Sequence, residues 1–149
     1  MSPLWFQSLL WTSRVSRLLL AAIFLYAGIV KASASEQFAV ALAPFTILPE
    51  WSIGVFSQTL PWFEVGAAIL ILLPRVHRIG SALILFLCLL FTGALSWALA
   101  NGIIVSCGCF GGDEPPSTAA MQLAILRDIA LATLALIALR SPQKPKAAA

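Results

Sequence analysis

The stretch IGSALILFLCLLFTGALSWALA, residues 79–100, contains no charged side chain. At a rise of about 1.5 Å per residue, about 20 mostly apolar residues cover the roughly 30 Å hydrocarbon core of a bilayer. This run meets that length and predicts a membrane-spanning helix. Three further stretches meet the same test. Residues 15–32 contain LLLAAIFLYAGIV; residues 54–73 are interrupted by Pro61 and Glu64; residues 118–139 are apolar except around Arg127 and Asp128. The composition agrees: 60% of the 149 residues are hydrophobic and only 10% charged, and the mean hydropathy is +0.97, far outside the balance of a soluble domain. The lipid bilayer is the solvent of such a chain. The expected fold is all-α, a polytopic four-helix transmembrane bundle forming a single domain over residues 1–140. The tail 141–149 (SPQKPKAAA) reads as disordered.

The segment SEQFAVALAPFTILPEW, residues 35–51, is too short to span. Phe38, Leu42 and Phe45 recur at helical spacing, while Pro44 and Pro49 prevent a long helix. A short interfacial helix between the first two spans, with Ser35 as its N-cap, is expected; an ordinary packed loop helix is the rival reading. The first span has a rival too. Arg14 and Arg17, an apolar core and then Ala32-Ser33-Ala34 imitate a cleavable signal peptide. Lys31 lies awkwardly between core and cleavage site, and the long start with Trp5 and Trp11 does not suit one.

Basic residues favour the cytoplasmic side. Arg14 and Arg17 precede the first span, Arg75, His77 and Arg78 fill the link between the second and third, and Arg140, Lys144 and Lys146 follow the fourth. All three groups fall on one face, which predicts both termini and the tail in the cytoplasm. His77 is expected to be a surface residue of a basic loop. Lys31, Glu36, Glu50, Asp113 and Glu114 then lie on or near the opposite face, with Trp51 and Trp97 near that interface and Trp11 near the inner one. The formal charge of +3 is spread among apolar runs and forms no continuous basic face, so nucleic acid is not an expected partner.

On the outer side stands CGCFGG, residues 107–112. Periplasmic placement of Cys107 and Cys109 would make thiol–disulfide chemistry available. A disulfide needs Cα atoms within about 4.4–6.8 Å, and two extended residues span about 6.6–7.2 Å, so this loop must bend. Gly108 permits the bend, and Gly111 and Gly112 loosen the exit. A ring closed across one residue should be strained, hence a donor of disulfides rather than a staple. A structural disulfide, pairing with partner proteins and a metal site are the competing readings. The last lacks ligands, so no metal is expected. Cys88, mid-span in LFLCLLF, reads as a small buried hydrophobe.

Glu64, Arg127 and Asp128 are expensive in hydrocarbon unless satisfied. Glu64 and Arg127 each lie about 14 Å below the outer surface by residue count. A buried Glu64–Arg127 ion pair is therefore expected, with Asp128 turned toward Thr92, Ser96 or Lys31, and with Lys31 free to extend toward the surface. The cluster either locks the bundle or tunes a thiolate, carries a proton or flanks a quinone. Pro61 frees the carbonyl of Ser57 and is expected to kink the second span.

Several of these residues carry a resemblance. Lys31 followed by Phe38 and FTILP, then LPWFEVGAAILILL, Asn101-Gly102 leading into CGCFGG, and LRD in the last span resemble the MauE family of methylamine utilisation membrane proteins, related to DoxX-like proteins. The resemblance covers about residues 18–139; Phe45 stands where the family pattern has a tyrosine. It implies an inner-membrane protein that supports maturation of the disulfide-rich small subunit of methylamine dehydrogenase beside a periplasmic thioredoxin-like partner, MauD. The redox motif then falls on Cys107 and Cys109, and the membrane-embedded polar positions on Lys31, Glu64, Arg127 and Asp128. A non-catalytic assembly or docking factor, and a quinone-linked DoxX-like subunit or transporter, are the alternative readings.

Overall fold

A computed structural model describes residues 4–106 and 115–140, with side chains from residue 11 onward. The described residues form five helices: α1 (Leu4–Ser33), α2 (Ser35–Leu42), α3 (Glu50–Leu72), α4 (His77–Ala100) and α5 (Thr118–Arg140). Four of them are long and apolar enough to cross a membrane: α1 over Trp11–Ser33, and the whole of α3, α4 and α5. The all-helical, four-span expectation holds. The second span begins at Glu50 rather than residue 54, so Trp51 belongs to α3 and not to the short helix before it. The tail 141–149 lies outside the described residues.

The long helices close into a ring in which α1 packs on α3, α3 on α4, α4 on α5 and α5 back on α1, while α2 leans on α3. The short link 73–76 makes α3 and α4 antiparallel neighbours. Water cannot drive helices together in a bilayer, so small side chains that let backbones approach do much of the work. Ala67, Ala68, Ala135 and Ala138 are accordingly buried beside Leu20, Ile71, Ile84 and Cys88 in the main core. Cys88 is a core hydrophobe, as its position in the run predicts.

Two glycines set the closest approaches. A Cβ on Gly80 would meet the backbone nitrogen of Ile71 and the backbone carbon of Leu70 at under 3 Å. A Cβ on Gly28 would sit 2.7 Å from Val65 Cγ2 and 2.8 Å from the Pro61 carbonyl oxygen. The first contact corrects the reading of His77: α4 starts hard against the end of α3, and His77, one turn before Gly80, is buried rather than on the surface. Its Nδ1 lies 3.0 Å from the Pro74 carbonyl. Helix α3 continues through Pro61, which is itself buried. Ser35 is not the N-cap of α2; Ala34 holds that position and makes no side-chain cap bond.

At one end of the bundle, Arg17 donates from Nε to the Ile71 carbonyl at 2.9 Å and from Nη2 to the Leu72 carbonyl at 3.3 Å. A cationic side chain thereby satisfies the last carbonyls of α3. This places Arg17 of α1 at the end that carries the basic link with Arg75 and Arg78, as the charge pattern expects.

Candidate functional site

The four intramembrane charges come together in one small cavity of about 20 Å³, lined by Lys31, Glu64, Arg127 and Asp128 with Phe24, Phe91 and neighbouring apolar side chains. The pairing inside it differs from the depth-based expectation. Lys31 Nζ donates to Glu64 Oε1 at 2.5 Å, and the two residues are 3% and 1% exposed. Arg127 folds onto its own neighbour, donating to Asp128 Oδ1 from Nε at 3.0 Å and from Nη2 at 2.7 Å. Glu64 is thus paired with Lys31 instead of Arg127, and Asp128 with Arg127 rather than with Thr92 or Ser96.

The physical reason lies in the glycine contact. Gly28 is one turn before Lys31, and its missing side chain lets α1 sit against α3 at Pro61 and Val65. That register brings Lys31 level with Glu64, so the ammonium points into the bundle rather than toward the surface. The rings of Phe38 and Phe91 complete its surroundings, with centroids 5.4 Å and 4.7 Å from Nζ, within the range of a cation–π attraction. The glycine in an otherwise bulky apolar run was the readable signal for this close approach.

The remaining oxygens, Glu64 Oε2 and Asp128 Oδ2, are buried and accept no hydrogen bond from the described residues. Two cations and two carboxylates leave the cavity with no net formal charge, which lowers the penalty for ions in hydrocarbon. Among the described residues no group of three or more His, Cys, Asp or Glu side chains comes together. The arrangement can tie α1 to α3 and hold hydrogen-bonding oxygens deep in the bundle.

Cys107, Gly108, Cys109, Gly111 and Gly112 lie outside the described residues. The stems on either side of that segment are held by hydrogen bonds. After α4, the Gly102 N–H bonds the Leu99 carbonyl at 3.1 Å and the Ile103 N–H bonds the Ala98 carbonyl at 2.9 Å, with Gly102 at φ +70°. This is a Schellman turn, and the left-handed residue in it favours glycine. Asn101 adds a bond from Nδ2 to the Trp97 carbonyl at 2.8 Å. The chain then runs to buried Val105, whose N–H points to Met121 Sδ at 3.4 Å. On the far stem Ser117 caps α5, its Oγ accepting from the Ala120 N–H at 3.1 Å. Leu95, Ala98, Val105, Met121 and Ala124 pack as a second core joining the two stems.

Comparison with known sequences agrees with this architecture. The profile of the family described as methylamine utilisation protein MauE matches residues 9–141. The chain belongs to the MauE family. With four helices able to span a bilayer, it is a multi-pass membrane protein. Its similar relatives include the methylamine utilization protein MauE of Methylophilus methylotrophus, 29% identical over 120 residues, covering 80% of this chain and 63% of that one. The protein of the same name from Methylorubrum extorquens is 32% identical over 95 residues, 63% of this chain and 51% of its own. That of Paracoccus denitrificans is 29% identical over 123 residues, 80% and 64% respectively. The match therefore spans about half to two-thirds of the length of these relatives. No solved structure matches the chain.

Proposed function

We propose that this MauE-family chain serves methylamine utilisation as a maturation factor of the bacterial inner membrane, acting by thiol–disulfide exchange at Cys107 and Cys109. The observation that carries this reading is the anchoring of both stems of the CGCFGG segment. The Schellman turn at Gly102 and the Ser117 cap, joined by the Val105–Met121 contact, hold the two stems against the end of the bundle. Two cysteines carried in sequence between stems held in this way suit an exchange reaction between two proteins. The positive-inside pattern supports a periplasmic position for the pair and a cytoplasmic position for both termini.

In the exchange, a thiolate of a periplasmic thioredoxin-like partner attacks one sulfur of the Cys107–Cys109 disulfide. A mixed disulfide forms and the other sulfur leaves as a thiolate. The partner's second thiolate then attacks the mixed disulfide and releases this chain as a dithiol, so two electrons pass from partner to chain. A disulfide-rich periplasmic client is the final recipient of the bond. The buried Lys31–Glu64 pair and the neighbouring Arg127 and Asp128 hold the bundle that carries the loop.

The test is a trapping experiment. Cys107→Ser or Cys109→Ser, expressed in the native envelope, should accumulate a mixed disulfide with a thioredoxin-like protein. Permanently reduced thiols in the wild-type chain, together with intact client oxidation in the double serine variant, would remove exchange and leave a docking role.

A further inference from the structure

A second cavity, of about 490 Å³, lies between α2 with the turn that follows it, α3 and α4. This is the size of a small-molecule site. Phe38 and Leu42 of α2, Leu60 of α3 and Leu89 of α4 form its apolar walls. Among the described residues that line it, the polar side-chain atoms come from Trp97 and Ser106. Both belong to the end of the cavity near the close of α4, whereas Leu60, Leu89 and Leu90 line the part deeper along the spans. The cavity therefore has an apolar body and one polar end.

Among the described residues, no lysine, arginine or carboxylate lines it. The nearest cation described beside its walls, Lys31, is committed to Glu64 and stands behind the rings of Phe38 and Phe91. A phosphate or carboxylate head would enter without a counter-charge, at the desolvation penalty of an unpaired ion. An uncharged head finds a hydroxyl and an indole N–H at the polar end. From this graded polarity we infer that the cavity binds an uncharged lipid with a single long hydrocarbon chain, head toward Trp97 and Ser106 and tail toward Leu60 and Leu89.

The occupant would also reach the charged cavity through one side chain. Phe91 lines both spaces and lies 4.7 Å from Lys31 Nζ. A bound chain pressing on Phe91 is thus one ring away from the Lys31–Glu64 pair. Gly93 lines the cavity as well, and a Cβ there would meet nothing within 4 Å. The room that a bulkier residue would occupy at this position belongs to the lipid.

The full chain in nanodiscs, with Trp5, Trp11, Trp51 and Trp62 replaced by phenylalanine, reports on the site through Trp97. A dibrominated monoacylglycerol should quench this fluorescence saturably, at least tenfold more tightly than dibrominated phosphatidylglycerol. Gly93→Leu should weaken that binding at least tenfold with an unchanged melting temperature, and Ala41→Phe, filling the cavity from α2, should do the same. Competition by unlabelled monoolein or by geranylgeraniol tells an acyl from a prenyl chain. Equal, non-saturable quenching by both brominated lipids, meaning bulk bilayer only, would overturn the assignment. So would quenching that both filling variants leave untouched.

Discussion

Two ion pairs share one cavity, yet they are built differently. Lys31 and Glu64 are far apart in sequence, come from two helices and are almost wholly buried. Arg127 and Asp128 are adjacent on one helix, and the Arg127 side chain retains 26% exposure. The first pair depends on how α1 sits against α3; the second would survive a change in that packing. The contrast separates a charge pair that fastens helices from one that neutralises a carboxylate where it stands.

The largest effect should come from breaking the fastening pair. Lys31→Met strands a buried carboxylate and should lower stability by about 3–5 kcal/mol, read from unfolding in detergent, while Lys31→Met combined with Glu64→Leu should recover most of it. A double variant as unstable as the single would remove the interpretation. Next in size is Gly28→Ala, whose methyl group would push against Val65 and the Pro61 carbonyl; overpacking of this kind costs about 1–3 kcal/mol. Because the same contact sets the Lys31–Glu64 register, its effect should be non-additive with Lys31→Met by at least about 0.5 kcal/mol and additive with Asp128→Asn.

Arg127→Gln should be milder than Lys31→Met, about 1–2 kcal/mol, because its partner keeps a neutral donor nearby and the lost cation was partly exposed. Equal losses from Arg127→Gln and Lys31→Met would erase the distinction between the two pairs. The smallest effect lies outside the charged layer. Gly102→Ala forces an alanine to φ +70° and should cost about 1 kcal/mol, additive with every variant above. Combined with the trapping experiment, it should slow mixed-disulfide formation without abolishing it, since the stem and not the sulfur is altered.

The spans were readable to within a few residues because length and hydropathy are local properties. Cys88 was readable for the same reason. His77 was not: a histidine in a basic link looks exposed until the Gly80–Ile71 contact brings the helix ends together. The error at Glu64 is the more instructive. Counting residues from the outer surface assigned similar depths to Glu64 and Arg127 and placed Lys31 higher, on the assumption that every helix begins at one level. In the fold α3 begins at Glu50 rather than at residue 54, and the Gly28 contact with Pro61 and Val65 sets where α1 meets it, with Lys31 against Glu64. The cavity between α2, α3 and α4 is not legible in the sequence for a related reason, because its walls come from four separate segments that no periodicity connects.

Sequence alone determined that the chain crosses a bilayer with four helices, that four charges lie within or beside those helices, and that paired cysteines follow the third span. Each of these is set by the composition of a single stretch and by the thickness of hydrocarbon it must cross. Only the tertiary structure decided which cation meets which carboxylate and where a cavity opens. Those outcomes depend on how far one helix slides and turns against another, and that is governed by a few close contacts at Gly28 and Gly80 rather than by any property of one segment.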